Sequence, residues 1–356
     1  MKFNDIFSGM GGFRHSLESV GMECTSATEK DEVVAEMYKV LHGEENIHGD
    51  IKELTGEQLE DFDLLVGGPP CQNFSTNGNR KGFDGITGSL FFEAIRIALE
   101  KQPKFILLEN VTGLLNHNEG MTISIVLESL NKAGYTVDIN IMKSVEFGVP
   151  QKRERVFIVG VLNHPHEDWT FDNKTKAVNK VKKTILENYP DLKTFKHEYP
   201  VGNKTAVFKD IAEDVKNPVY LDLGDFLQQL PNGEWRIKDG TVRGYTDFTA
   251  IPLHTTIDYT FMTSKTRRGR IKQGITKTLD QSVDIAVFDG VGWRRITPLE
   301  VFRLQGFPDE FYYKLKEAGF KEKELYARPS RSITVPVVKA LGESILKLEN
   351  KLYGGV

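Results

Sequence analysis

Cysteine is scarce. Only Cys24 and Cys71 occur in 356 residues, in different local contexts and with no metal-ligand spacing. That excludes a disulfide framework and a zinc site, and it points to a reducing compartment. Long apolar runs are lacking too: no stretch could cross a bilayer, and the N-terminus has neither the basic nor the apolar part of a signal peptide. A cytoplasmic protein with no membrane partner and no bound metal is expected. Positive charge is not in excess, because the formal net charge is -4, so any surface for a polyanion must be a local patch. Internal repeats and low-complexity tracts are absent. What remains, 39% hydrophobic and 27% charged residues, is the composition of a globular chain long enough for two lobes.

Short apolar runs alternate with helical patterns in the first part, the signature of a parallel sheet wrapped by helices. Lys2 to Phe7 reads as a strand running into Ser8-Gly9-Met10-Gly11-Gly12. A helix from about Asp31 carries Val34, Met37, Tyr38 and Leu41 on one face. Asp63 to Val66 and Lys104 to Leu108 read as buried strands, and Arg155 to Leu162 as another. Leu90 to Leu99, and the segment with Ile123, Val126, Leu127 and Leu130, read as helices. From His164 to about Gly290 the alternation stops, which suggests a separate, irregular or β-rich lobe. Order returns at the end, where Val338, Leu341, Ile345, Leu348 and Leu352 share one helical face opened by Pro336. The expected division is residues 1–163 as a catalytic, cofactor-binding domain, 164–290 as a recognition lobe, and 291–356 as a segment packing back on the first.

Several motifs carry chemistry. The glycine loop after the first strand lets backbone approach a ligand, and Glu29 follows at the distance where an acidic residue meets a ribose. Alone, that loop is equally a tight strand-to-helix turn beside a surface glutamate. Cys71 stands just past a buried strand, between Pro69-Pro70 and a polar, glycine-rich loop holding Arg80 and Lys81. That sheet edge is where open α/β folds hold their sites, so Cys71 is a candidate nucleophile, whereas Cys24 reads as a small core residue. Glu109 ends an apolar strand, either as a proton donor to a substrate nitrogen or as a capping glutamate. Arg153 and Arg155, two apart before a strand, share a face toward a cleft or toward solvent. Arg267, Arg268 and Arg270 lie in the densest basic run, which fits phosphate contacts or a solvated loop.

Taken in order, these pieces resemble the DNA cytosine-5 methyltransferase family of prokaryotic or phage type, and the match reaches nearly both ends. Phe7-Ser8-Gly9-Met10-Gly11-Gly12-Phe13 resembles its cofactor loop, and Pro70-Cys71-Gln72-Asn73-Phe74-Ser75 its nucleophile motif. Glu109-Asn110-Val111 is similar to its catalytic glutamate motif, and Gln151 to Arg155 to its Gln-x-Arg-x-Arg motif. Arg294 to Pro308 is similar to its penultimate block. The last block departs from the family, with Ser330-Arg331-Ser332 where Gly-Asn-Ser is usual.

The resemblance implies a Rossmann-like α/β fold with a smaller target-recognition lobe, and S-adenosylmethionine as methyl donor. It implies catalytic roles for Cys71, Glu109, Arg153 and Arg155. Cofactor contacts fall on Phe7, Ser8, Gly9, Gly11, Gly12, Phe13, Glu29, Asp50, Ile51, Pro70 and Leu90. DNA contacts fall on Gln72, Ser75, Arg80, Lys81, Arg267, Arg268, Arg270 and Thr278, the last in a Thr-Leu element. The expected partner is double-stranded DNA, bound by a monomer, with a cognate restriction endonuclease that it need not touch. Methylation of transfer RNA by a branch of the family is the nearest rival, but its Cys-Phe-Thr element is missing here. A silent DNA-binding regulator would not need Cys71, Glu109 and Arg155 together. A nucleotide-dependent oxidoreductase would not account for Pro-Cys-Gln with Glu-Asn-Val.

Overall fold

Runs such as Phe105-Ile106-Leu107-Leu108, apolar at every position, suit strands covered on both faces. In the computed structural model they lie in the middle of a seven-stranded sheet. The structure describes residues 1–43, 47–70, 90–169, 171, 176–216, 218–221, 223, 227–229, 231, 235–237, 251–260 and 270–354. It divides into two compact units, residues 1–142, 154–201 and 337–356 in the first, and 143–153 with 202–336 in the second.

In the first unit, β1 (Lys2–Ile6) enters α1 (Gly12–Glu18) and is followed by β2 (Glu23–Thr28), α2 (Glu32–His42), β3 (Ile47–His48) and β4 (Leu64–Gly67). Next come α3 (Leu90–Lys101), β5 (Phe105–Val111), α4 (Met121–Lys132) and β6 (Tyr135–Lys143). The two-residue strand β7 (Gln151–Lys152) belongs to the second unit, and β8 (Glu154–Leu162) returns to the first. The sheet order is β3-β2-β1-β4-β5-β8-β6, with β1, β2, β3, β4 and β5 parallel and β8 antiparallel to β5.

The periodic faces bury as their spacing requires. Val34, Met37, Tyr38 and Leu41 of α2 are all buried, and Asp31 caps that helix by accepting from the amides of Val33 and Val34. Phe91, Ala94, Ile95 and Ala98 of α3 join one core with Ile123, Val126, Leu127 and Leu130 of α4.

The stretch after His164 contains more helix than an irregular or β-rich lobe would. Helix α5 (Lys176–Asn188) buries Val178 and Ile185, and Ile185 packs in the core of the first unit. Its lysines masked a sparse apolar stripe; one of them, Lys182, ion-pairs with buried Asp138 of β6 at 2.6 Å. Residues 164–201 thus sit in the first unit and 291–336 in the second.

The second unit is also rich in strands. Beyond a hairpin of β9 (Leu227–Gln229) and β10 (Trp235–Ile237), its remaining strands are β11 (Thr255–Asp258), β12 (Arg270–Gln273), β13 (Thr276–Lys277), β14 (Ile285–Phe288) and β15 (Trp293–Arg295). Four of them form an antiparallel sheet in the order β12-β11-β14-β15, while β13 pairs with β7. Helices α6 (Pro298–Arg303), α7 (Asp309–Glu317) and α8 (Glu322–Arg331) follow. The last helix, α9 (Val335–Tyr353), buries Val338, Leu341 and Ile345 completely, the apolar face its sequence announced.

Candidate active site

The glycine loop leaves β1 through backbone that few side chains tolerate. Phe7, Gly9 and Gly11 have φ of 55°, 57° and 78°. At Gly11 the requirement is steric as well, since a Cβ would stand 2.1 Å from His42 Nε2, which itself bonds the Met10 carbonyl. Around a Cβ built on Gly9 there is no atom within 4 Å, so the loop is open on that side. Glu29, just past β2, receives the Gly9 amide on one carboxylate oxygen at 3.0 Å and the Asp31 amide on the other at 2.8 Å. Burial pushes this carboxyl upward from its ordinary range, while the amides pull it back. Each oxygen keeps a lone pair for a ligand hydroxyl. A carboxylate held beside an open glycine loop can accept hydroxyls such as those of a ribose.

Further along the same edge, Asp50 pairs with Lys30 and accepts the Lys52 amide, and Ile51 is buried. Ser8 and Phe13 are buried, Phe7 and Leu90 pack against the core, and Gly12 is the first residue of α1. Pro70 is half-buried after β4.

Glu109 and Asn110 are among the last residues of β5, just past its pairing with β4 at Leu108. Arg155 Nε of β8 stands 2.9 Å from Glu109 Oε1, within ion-pair reach but without a hydrogen bond to that oxygen. Gly68 lies against this carboxylate, for a Cβ there would meet Glu109 Oε2 at 3.4 Å. Asn110 Nδ2 donates to the Pro69 carbonyl at 2.8 Å. An acid group, a guanidinium and the residue two places before Cys71 therefore converge at one edge of the sheet.

The sequence model of the C-5 cytosine-specific DNA methylases matches residues 1–347. The chain belongs to that family. It is 30% identical over 347 residues to the type II methyltransferase M.NlaX of Neisseria lactamica, covering 97% of this chain and 96% of that one. It is 32% identical over 357 residues to the type II methyltransferase M.HpaII of Haemophilus parainfluenzae, covering 99% and 90%. The solved structure of the S. pombe Dnmt2 methyltransferase superposes with a TM-score of 0.63 at 20% identity, covering 99% of this chain and all of that one, which shows the shared fold. The protein is thus a DNA cytosine-5 methyltransferase that takes its methyl group from S-adenosylmethionine.

In this methyltransferase the Gln-x-Arg-x-Arg motif is divided between the units after Arg153. Gln151 is fully buried in the second unit, donating to the Leu304 carbonyl at 2.6 Å and accepting the Leu279 amide at 3.0 Å. Arg153 is buried there too, and its guanidinium donates to the carbonyls of Ser330 (3.3 Å) and Ser332 (2.7 Å). The atypical Ser330-Arg331-Ser332 stretch therefore serves as a backbone anchor for Arg153. Thr278 donates its hydroxyl to the Lys152 carbonyl, beside the β7–β13 pair.

The nucleophile candidate Cys71 lies outside the described residues, as do Gln72, Ser75, Arg80 and Lys81. The same holds for Arg267 and Arg268, whereas Arg270 is the first residue of β12. Among the described residues no cluster of histidine, cysteine, aspartate or glutamate could hold a metal ion, and no helix is long and apolar enough to cross a membrane. Sequence reasoning passed over Gly68, Asn110 as a tether, and Lys30 beside Asp50. An asparagine after a strand-end glutamate was a visible signal; the other two depend on non-local proximity.

Proposed function

We propose that this enzyme methylates carbon 5 of cytosine within a specific sequence of double-stranded DNA by flipping the base and attacking it with Cys71. The observation that carries the reading is the convergence of Glu109, Arg155 and the Asn110–Pro69 tether at one sheet edge.

Inside a duplex the target carbon is stacked, so the base must be extruded, at a cost of a few kcal/mol. The Cys71 thiolate adds to carbon 6, which makes carbon 5 nucleophilic. Glu109 shares a proton with ring nitrogen 3 and stabilises the charge that moves there. Arg155 holds the exocyclic oxygen, and Arg153, held by the carbonyls of Ser330 and Ser332, supports the pocket or a phosphate. When bound, S-adenosylmethionine offers the methyl of its sulfonium to carbon 5. Water then takes the carbon 5 proton, the carbon 5–carbon 6 double bond re-forms, and the carbon 6–sulfur bond breaks to release Cys71 as thiolate.

The adenosyl end is assigned to Glu29, Asp50, Ile51 and the loop from Phe7 to Phe13, with Pro70 and Leu90 alongside. Base choice is assigned to the second unit, with Thr278, Arg267, Arg268 and Arg270 near or on DNA, and phosphate contacts supply a salt-dependent share of affinity. Gln72, Ser75, Arg80 and Lys81 complete the DNA surface. The protein is read as a monomer; a cognate restriction endonuclease that it does not touch suits the relatives named type II methyltransferases, and a solitary enzyme suits those named orphan methyltransferases.

Trapping on DNA bearing 5-fluorocytosine tests this. Fluorine cannot leave as a proton does, so a working enzyme with cofactor should stay attached through denaturation, and Cys71→Ala should abolish the complex. Turnover by Cys71→Ser at the native rate would sink the covalent mechanism. No complex on DNA of diverse sequence, from folded and cofactor-competent protein, would move the substrate to RNA.

A further inference from the structure

Arg96 of α3 lies outside every motif named above, yet its guanidinium is committed in three directions. Nε donates to Glu93 Oε2, Nη1 to Glu100 Oε1 and Nη2 to the carbonyl of Ile51, each at 2.8 Å. Glu100 in turn accepts the Gly56 amide at 2.6 Å on its other oxygen. The chain passes so close here that a Cβ on Gly56 would stand 2.9 Å from Glu100 Cβ. Two side chains of α3 thus grip residues 51 to 56 by backbone groups, one at each end of the segment.

That grip bears on the cofactor. Ile51 and Asp50 belong to the adenosyl end assigned above, and this inference rests on that assignment, with these two residues taken to meet the adenine and Glu29 the ribose. The peptide between Ile51 and Lys52 is fixed by the Arg96 bond and by the Leu54 amide, which also donates to the Ile51 carbonyl at 3.3 Å. Asp50 is oriented from its own side by Lys30 and the Lys52 amide. A planar guanidinium with two of its nitrogens held by carboxylates has little freedom left, so the third nitrogen is presented to Ile51 at a fixed place. The three donors of a lysine radiate from a single atom, whereas these partners are met from three separate nitrogens of the guanidinium.

We propose that Arg96 is a positioning residue for the adenine end of S-adenosylmethionine, acting through the Ile51 carbonyl, with Glu93 and Glu100 as its supports. It touches neither the methyl group nor the reacting carbon. Its loss should therefore be felt in cofactor affinity and not in the chemical step.

Steady-state methylation by full-length Arg96→Met, Arg96→Lys and Asp50→Ala, with melting of each protein alone, tests this. Arg96→Met should raise KM for S-adenosylmethionine about tenfold while kcat and KM for DNA stay within about twofold. Arg96→Lys, able to reach Ile51 alone, should recover part of that loss. If Asp50→Ala raises the cofactor KM and Arg96→Met leaves it unchanged, the positioning role is wrong and the adenine assignment stands. If neither variant moves it, the adenine assignment itself has failed. A fall in kcat, DNA affinity and melting temperature together in Arg96→Met, unrelieved by Arg96→Lys, would make Arg96 a general structural residue and overturn the proposal.

Discussion

Asn110 Nδ2 donates to the carbonyl oxygen of Pro69 at 2.8 Å, in a buried bond between strand ends 41 residues apart. Asn110 follows the candidate acid and Pro69 precedes the candidate nucleophile by two positions, so one hydrogen bond links the approaches to both. Asn110→Ala should leave the Pro69 carbonyl unmet and destabilise the fold by about 1–3 kcal/mol. Methyl transfer should slow by at least about tenfold through misplacement of the reacting groups. Cofactor affinity should hold within about twofold, as titration by fluorescence or calorimetry would show. Asn110→Asp should be worse, because an oxygen then faces the carbonyl. A native single-turnover rate in Asn110→Ala would rule out the tether.

The acid role proposed for Glu109 can be removed without changing the shape of its side chain. Glu109→Gln should fold normally and bind cofactor, yet lose about 10²–10⁴ in turnover, the usual worth of a positioned acid or base. Circular dichroism and single-turnover methylation, run together, check both halves. Activity within threefold of the native enzyme would remove the acid role.

Arg294 and Glu300 form a buried bidentate pair at 2.9 and 2.7 Å, with Glu300 wholly inaccessible. The same glutamate accepts the Thr297 amide and closes a capping box at the start of α6. Glu300→Ala should cost about 3–5 kcal/mol by leaving the Arg294 charge buried and alone. Arg294→Met with Glu300→Leu should recover much of this loss. Urea unfolding of the three proteins measures it.

His197 predicts a pH effect on stability. Burial holds its imidazole at about 4, down from an ordinary 6.5. Ser344 donates to the Leu341 carbonyl, which leaves its oxygen to accept from His197 Nε2 at 3.0 Å. The folded chain thus keeps this ring neutral while the unfolded chain protonates it. Its stabilising contribution is complete above pH 6.5 and is lost as pH falls from there toward 4. The loss approaches on the order of 3 kcal/mol, at about 1.4 kcal/mol per factor of ten in proton affinity. Melting of the native protein and of His197→Gln from pH 7.5 to 4 should show a gap that narrows as pH falls. A constant gap would contradict the reading.

Much of the first unit was legible because its signals are local. Four buried positions of α2 lie one turn apart, and apolar strands such as β5 can be read from a handful of neighbours. Strand β6 and helix α5 escaped notice, since Asp138 and Lys182 interrupt their apolar patterns and become compatible with a core only when paired. The basic pair Arg153 and Arg155 looked like one face of one strand. In space Arg153 serves the carbonyls of Ser330 and Ser332, while Arg155 stands beside Glu109.

The sequence by itself determined the reaction class and its order of parts, because glycine loop, cysteine, glutamate and arginine motifs keep their spacing whatever surrounds them. The glycines after β1 were legible in it too, whereas the left-handed backbone that calls for them, φ of 57° at Gly9 and 78° at Gly11, belongs to the folded chain. Only the tertiary structure decided which polar residues are paired with which. Asn110 with Pro69, Arg96 with Ile51 and Gln151 with Leu304 are separated by 41, 45 and 153 positions. Hydrogen bonds act over about 3 Å, and no local pattern encodes which distant carbonyl the folded chain will bring within that reach.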